Sequence, residues 1–113
     1  DAAAFAQVFA GSAVLRAGRD AFVRNALIAA GNTGVAMSRD ERMFAAVVGR
    51  LADQAAIVRG AAAWALGQGG GELGKNLLDA RLLSEPDPTV REEIENALQG
   101  LKSQGGRATD GIR

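Results

Sequence analysis

The strongest constraint on this chain is that part of its sequence recurs. Leu51, six residues, Val58-Arg59 and then Ala65-Leu66 reappear 32 positions later as Leu83, six residues, Val90-Arg91 and Ala97-Leu98. Asp53 falls opposite Glu85 in the same register, and Val23-Arg24 followed by a small apolar run to Gly31 is a looser third copy. A period of about 30 to 45 residues with two helices per unit marks an α-solenoid, in which each unit buries its apolar face only against its neighbours. The 24 alanines among 113 residues fit that arrangement, because small side chains at a contact bring helix axes together.

Helical periodicity dominates, and no segment of four to eight residues alternates as a strand would. Phe5, Val8 and Phe9 give a short first helix ended by Gly11-Ser12. Phe22, Val23, Ala26, Leu27 and Ala30 give a second, closed by Gly31-Asn32-Thr33-Gly34. Ser38 and Glu41 have capping-box spacing and open a third helix with an apolar face of Met43, Phe44, Val47, Val48 and Leu51. The fourth carries Val58, Ala61, Ala62, Ala65 and Leu66 and stops in the glycines from Gly67 to Gly71; Leu73, Leu77, Leu78 and Leu82 mark the fifth. After Pro86-Asp87-Pro88, the residues Val90, Ile94, Ala97, Leu98 and Leu101 form the sixth. The pattern of an acid, a turn, Val-Arg, two residues, Ala, three residues and Leu resembles HEAT-like repeats, and the expectation is an all-α fold, a HEAT-like α-solenoid of about six helices in two to three stacked antiparallel pairs. It divides into a repeat domain over 1–102 and a flexible tail over 103–113.

Little chemistry is open to such a chain. It has no Cys and no His, which removes thiol nucleophiles, thiolate metal and cluster ligation, disulfides and the commonest general base. No apolar run approaches the length of a membrane span. The first ten residues do not read as a secretory signal, and the chain reads as a fragment or a processed product. Thirteen basic and thirteen acidic residues cancel, but residues 1–71 hold seven Arg against five acids while 72–102 hold four bases against seven acids.

The remaining candidates have plain structural readings beside the functional ones. Glu92, Glu93 and Glu95 are acids early in a helix, where they favour its dipole and face water. Glu85 and Asp87 flank prolines as turn and capping residues. Gly69-Gly70-Gly71 reads as a linker, since no strand precedes it and Glu72 would repel a phosphate. Arg59 and Arg91 hold equivalent repeat positions and are expected to pair with Asp53 or Asp87. Trp64, the single Trp, is expected in core or edge packing.

The segment from Ser12 to Gly34 is richer. It places Arg16, Arg19, Arg24, Asn25 and Asn32 around one helix, with Arg16 in the loop before it and Arg19 near its N-terminus. Arginine at a helix start is unfavourable for the dipole, so these residues either contact phosphate or are held by intramolecular pairing and capping.

This segment, together with the run from Val58 through Trp64 to Gly67 and with Asp87-Pro88-Thr89-Val90-Arg91, resembles the C-terminal HEAT-like region of epoxyqueuosine reductase. The likeness covers most of residues 5–100. That family uses cobalamin and two 4Fe-4S clusters to complete queuosine in the wobble position of certain tRNAs, and its cofactor domains precede the helical repeats. The resemblance implies a non-catalytic repeat domain in the cytoplasm, cut from an iron–sulfur protein. Such a domain would hold no catalytic, cofactor or metal residue of its own and would support upstream catalytic domains and touch tRNA. Arg16, Arg19 and Arg24 would then contact phosphates, while Asn25 and Asn32 fix local geometry. Leu15 and Ala21 stand where the family pattern has Lys and Arg, which weakens phosphate binding. The other reading is a free-standing protein–protein interaction module, which the neutral net charge and the acidic sixth helix favour. A homodimer formed through an uncapped solenoid end is a further expectation.

Overall fold

A helix that is apolar around most of its circumference has to be surrounded, and the segment Ala56–Gly69 is such a helix: Val58, Ala61, Ala62, Ala63, Ala65 and Leu66 are all buried. The computed structural model describes the backbone of residues 2–112 and the side chains of residues 2–4 and 13–104. Six α-helices and one 3-10 turn follow in order: α1 (Ala2–Asn32), α2 (Val35–Arg39), α3 (Glu41–Gly49), the turn Arg50–Ala52, α4 (Ala56–Gly69), α5 (Gly71–Leu82) and α6 (Pro88–Ile112). The described residues contain no strand. α1, α4 and α6 form one layer with α4 in the middle; α3 packs on α1 and α4, and α5 on α4 and α6. The expected all-α solenoid is therefore the observed one. The second half of α1 and α3 make one unit, α4 and α5 the next, and α6 opens a third.

The layer is close because glycine and alanine sit where its helices meet. A Cβ on Gly31 would lie 2.5 Å from the Trp64 ring and 2.9 Å from the Ala65 Cα, at the contact of α1 with α4. A Cβ on Gly67 would lie 2.7 Å from the Ala97 Cβ, at the contact of α4 with α6. The fully buried larger side chains are Met37, Val47, Val58, Leu66, Leu78 and Ile94. Every element after α1 except the 3-10 turn supplies at least one of them. The turn supplies Leu51, which is also buried.

Four local expectations are corrected. Gly11-Ser12 does not end a helix, and α1 runs unbroken from Ala2 to Asn32. Gly and Ser each lower helix propensity by no more than about 1 kcal/mol and, unlike proline, remove no backbone hydrogen bond. Arg16 accordingly lies within a helix and not in a loop. On the same helix Leu27 is buried, but Phe22 is 75% exposed, so it lies outside the packed stripe.

The second correction is α2, which the periodicity does not announce although its Met37 is fully buried. Gly34, at φ 62, turns the chain into it. Third, because Ser38 is still inside α2, its hydroxyl donates back to the Val35 carbonyl (3.0 Å) and cannot cap α3. The cap is Asp40, in extended conformation, whose Oδ1 accepts the Met43 N–H (3.0 Å). Fourth, α4 continues through Gly67 to Gly69, leaving Gly70 alone between α4 and α5.

α6 begins as the sequence indicates, with Pro88 in its first turn and Asp87 accepting the Thr89 and Val90 N–H groups at 2.8 and 3.1 Å. Among the described residues its buried stripe reaches Leu101. The backbone of α6 runs on to Ile112 through most of the expected tail over 103–113, of which the side chains from 105 onward lie outside the described residues.

Candidate functional site

Asp53 leads from the 3-10 turn into α4, and α1 passes beside it. Arg19 reaches it with two parallel bonds, Nη1 to Oδ2 at 2.9 Å and Nη2 to Oδ1 at 2.7 Å. Arg50 Nη1 adds a bond to Oδ1 (3.2 Å), and the Ala55 N–H donates to Oδ2 (2.9 Å). The Asp53 side chain is only 4% exposed. The Arg19 bonds hold its carboxyl at about pKa 2, with help from the Ala55 N–H and the charges of Arg19 and Arg50, although burial acts the other way. Arg19 also donates to Asp20 Oδ1 (2.9 Å), and both partners keep its guanidinium more firmly protonated. These groups and Arg16 line a depression of about 640 Å³ between α1 and the approach to α4. Arg16 itself is exposed, and its side chain makes no ion pair or hydrogen bond among the described residues.

The same arrangement recurs one unit later. Glu85, fully buried at its side chain, receives Arg59 Nε on Oε1 (2.9 Å) and Arg59 Nη2 on Oε2 (3.1 Å). Arg81 Nη2 reaches Oε1 (3.0 Å), and the Asp87 N–H donates to Oε2 (3.0 Å). Burial pushes the Glu85 carboxyl up, but the bonds from Arg59, Asp87 and Arg81 outweigh it and the net displacement is downward. Arg59 Nη1 also donates to the Asp53 carbonyl (2.9 Å), as Arg91 Nη1 does to the Glu85 carbonyl (3.2 Å) and to that of Leu82 (2.8 Å). Arg59 and Arg91 are therefore structural, as one reading of the sequence held, but their partners differ from those expected. Arg59 takes the Glu85 carboxylate and Arg91 takes backbone oxygens. Among the described residues no buried side-chain polar atom lacks a partner.

Arg24 occupies the repeat position of Arg59 and Arg91 and does not copy them. Those two fold back onto the loop six residues earlier, but six residues before Arg24 is Gly18, inside the unbroken α1. Arg24 instead donates only to Asn25 Oδ1 (3.2 Å) and borders a groove of about 530 Å³ across α1, α4 and α6. The floor of the groove is apolar: Ile28, Ile57, Ala61, Trp64 and Val90. Trp64 is half-buried, at the edge of the core, and Ile57 is 55% exposed. Asp87 and Glu93 stand on the α6 side, opposite Arg24. Glu93 is half-buried, and so is not simply on the outer face of α6.

The structure thus brings Arg16 and Arg19 together in the first depression and places Arg24 at the second. The Asn25 side chain accepts a hydrogen bond from Arg24, and Asn32, exposed at the end of α1, lines neither. Sequence reasoning missed the groove because its residues come from three helices. The spacing of Ile57, Ala61 and Trp64 on one face of α4 is the only part of it legible in one segment. Among the described residues no three His, Cys, Asp or Glu converge as metal ligands, and no helix is long and apolar enough to cross a membrane.

A family model described as HEAT repeats matches residues 12–99. No curated protein and no solved structure matches the chain.

Proposed function

Because the chain belongs to the HEAT-repeat family over residues 12–99, we propose that it is a helical-repeat binding module, without chemistry of its own, that presents the groove across α1, α4 and α6 to a protein partner. The observation that carries this reading is the groove's make-up. Three helices from successive units contribute to it, its floor is apolar, and Ile57 and Trp64 remain partly open to solvent. Concave apolar surfaces edged by a few polar groups are where partners dock. A photocrosslinking residue at position 57 should join the chain to protein from cell extract; crosslinks to RNA instead would reverse the reading.

A second reading keeps the likeness to epoxyqueuosine reductase, with tRNA recognition and scaffolding as the role. Its support is that Arg16 has no ion-pair partner among the described residues and that Arg24 meets only Asn25. Arg19, which that reading also uses, is taken up by Asp53. Titrating a tRNA anticodon stem-loop against Arg16→Ala and Arg24→Ala at several salt concentrations tests it. Each lost phosphate contact should reduce the salt slope by about one. Affinity unaltered by both substitutions ends this reading.

A further inference from the structure

The two edges of the groove differ in charge, and that difference specifies a partner. On the α1 edge stands one cation, Arg24, already bonded to Asn25. On the α6 edge stand two acids. Asp87 accepts the Thr89 and Val90 N–H groups on Oδ1 alone, leaving Oδ2 without a hydrogen-bond partner among the described residues. Glu93 has no ion pair among the described residues, and Glu92 and Glu95 stand exposed on the same helix. The groove residues therefore sum to one negative charge, with the excess on the α6 side.

The floor sets the shape. Along α4 it rises at Ile57 and Trp64 and falls between them at Gly60 and Ala61; a Cβ on Gly60 would meet nothing within 4 Å. Glycine inside a helix costs about 0.5–1 kcal/mol relative to alanine, and no contact among the described residues requires it there. Ile57 to Trp64 spans two helical turns, about 10 Å, which matches apolar anchors at i, i+4 and i+7 of a docked helix.

We propose that this groove receives a short amphipathic helix from another protein, with aliphatic anchors seated between Ile57 and Trp64 and Lys or Arg along the side facing Glu93 and Asp87. This rests on the binding-module reading and adds the partner's chemistry. The acids of the α6 edge disfavour a phosphate chain in the same place. A cation crossing from the anchors to Glu93 lays its aliphatic stem along the Trp64 ring.

Trp64 is the only Trp in the chain, so its emission reports on the groove directly. The probe is a Trp-free Leu-Ala-Lys peptide of about 15 residues, long enough to form a helix on binding, with its leucines on one face. Saturable binding with a shift of Trp64 emission to shorter wavelength is the expected result. Glu93→Lys should weaken it about tenfold, Glu93→Gln should weaken it less, and Arg24→Ala should not weaken it. Unchanged circular dichroism and melting in each variant exclude misfolding. A peptide of the same composition with scattered leucines, and one with Glu for Lys, should leave the emission unmoved.

The proposal falls if the Leu-Ala-Lys peptide leaves Trp64 emission unchanged, or if Glu93→Lys binds it as tightly as the parent. The binding-module reading survives that result when the position-57 crosslinker still captures protein. It falls as well when a tRNA stem-loop shifts Trp64 emission and the peptide does not.

Discussion

Asp53 and Glu85 hold equivalent positions in consecutive units, and each is held three ways. Each accepts the N–H two residues on, an Arg from the preceding unit, and an Arg three or four residues before it. With its carboxyl at about pKa 2 against an ordinary 3.8, Asp53 contributes stability that is complete above the ordinary value and lost as pH falls towards 2. The urea midpoint of Asp53→Asn should therefore lie furthest below that of the parent near neutrality, and the gap should narrow as pH drops from 5 to 3. A gap that stays constant into acid would contradict this. Glu85→Ala leaves Arg59 and Arg81 facing a buried void and should cost about 3–5 kcal/mol in denaturant titration. Combining it with Arg59→Met should restore part of the loss, since a buried ion pair can be exchanged for apolar packing at little cost. At this scale the sequence marks the register of Asp53 with Glu85, but not which Arg reaches which acid. Arg19 reaches Asp53 across 34 residues, and a spacing that long carries no periodic signal.

Among the helices, glycine separates what is legible locally from what is not. Gly67 stands in a run that reads as a helix stop, yet it is helical and touches Ala97. Gly67→Ala should destabilise by about 1–3 kcal/mol through overpacking, and Ala97→Gly in the same chain should relieve only part of it, because the Ala97 Cα also stands 2.9 Å from the added Cβ. Gly18→Ala, where a Cβ meets nothing within 4 Å, should instead stabilise by about 0.5–1 kcal/mol. Thermal melts of the two single variants should move in opposite directions. Both glycines look alike in the sequence, because helix propensity treats them alike and only the neighbouring helix distinguishes them. The stripes of α3 and α6 were legible because one face of each is covered continuously, and that of α4 because it is buried on most sides. α2 was not, since five residues are too few to show a period and its one buried residue, Met37, is buried by other elements.

Across the molecule, α4 is flanked by α1 and α6 and backed by α3 and α5, so its backbone opens only when both units part. Amide exchange in residues 58–66 should follow global unfolding, whereas α2 and the turn Arg50–Ala52 should exchange through local opening. Faster exchange in α4 than in α3 would show that the layer is not the cooperative centre. The radius of gyration, 16.8 Å, exceeds the roughly 13 Å of a globule of this length, as a stack of units with a 31-residue first helix requires. By itself the sequence determined the all-α class, the 32-residue unit and the apolar faces of α4 and α6, because periodicity and repetition are properties of the chain alone. The tertiary structure decided that α1 is one helix, that Arg19 belongs to Asp53 while Arg24 is turned outward, and that a groove with unequal edges crosses three helices. Those outcomes depend on which residues meet across units, and distance in space is not written in distance along the chain.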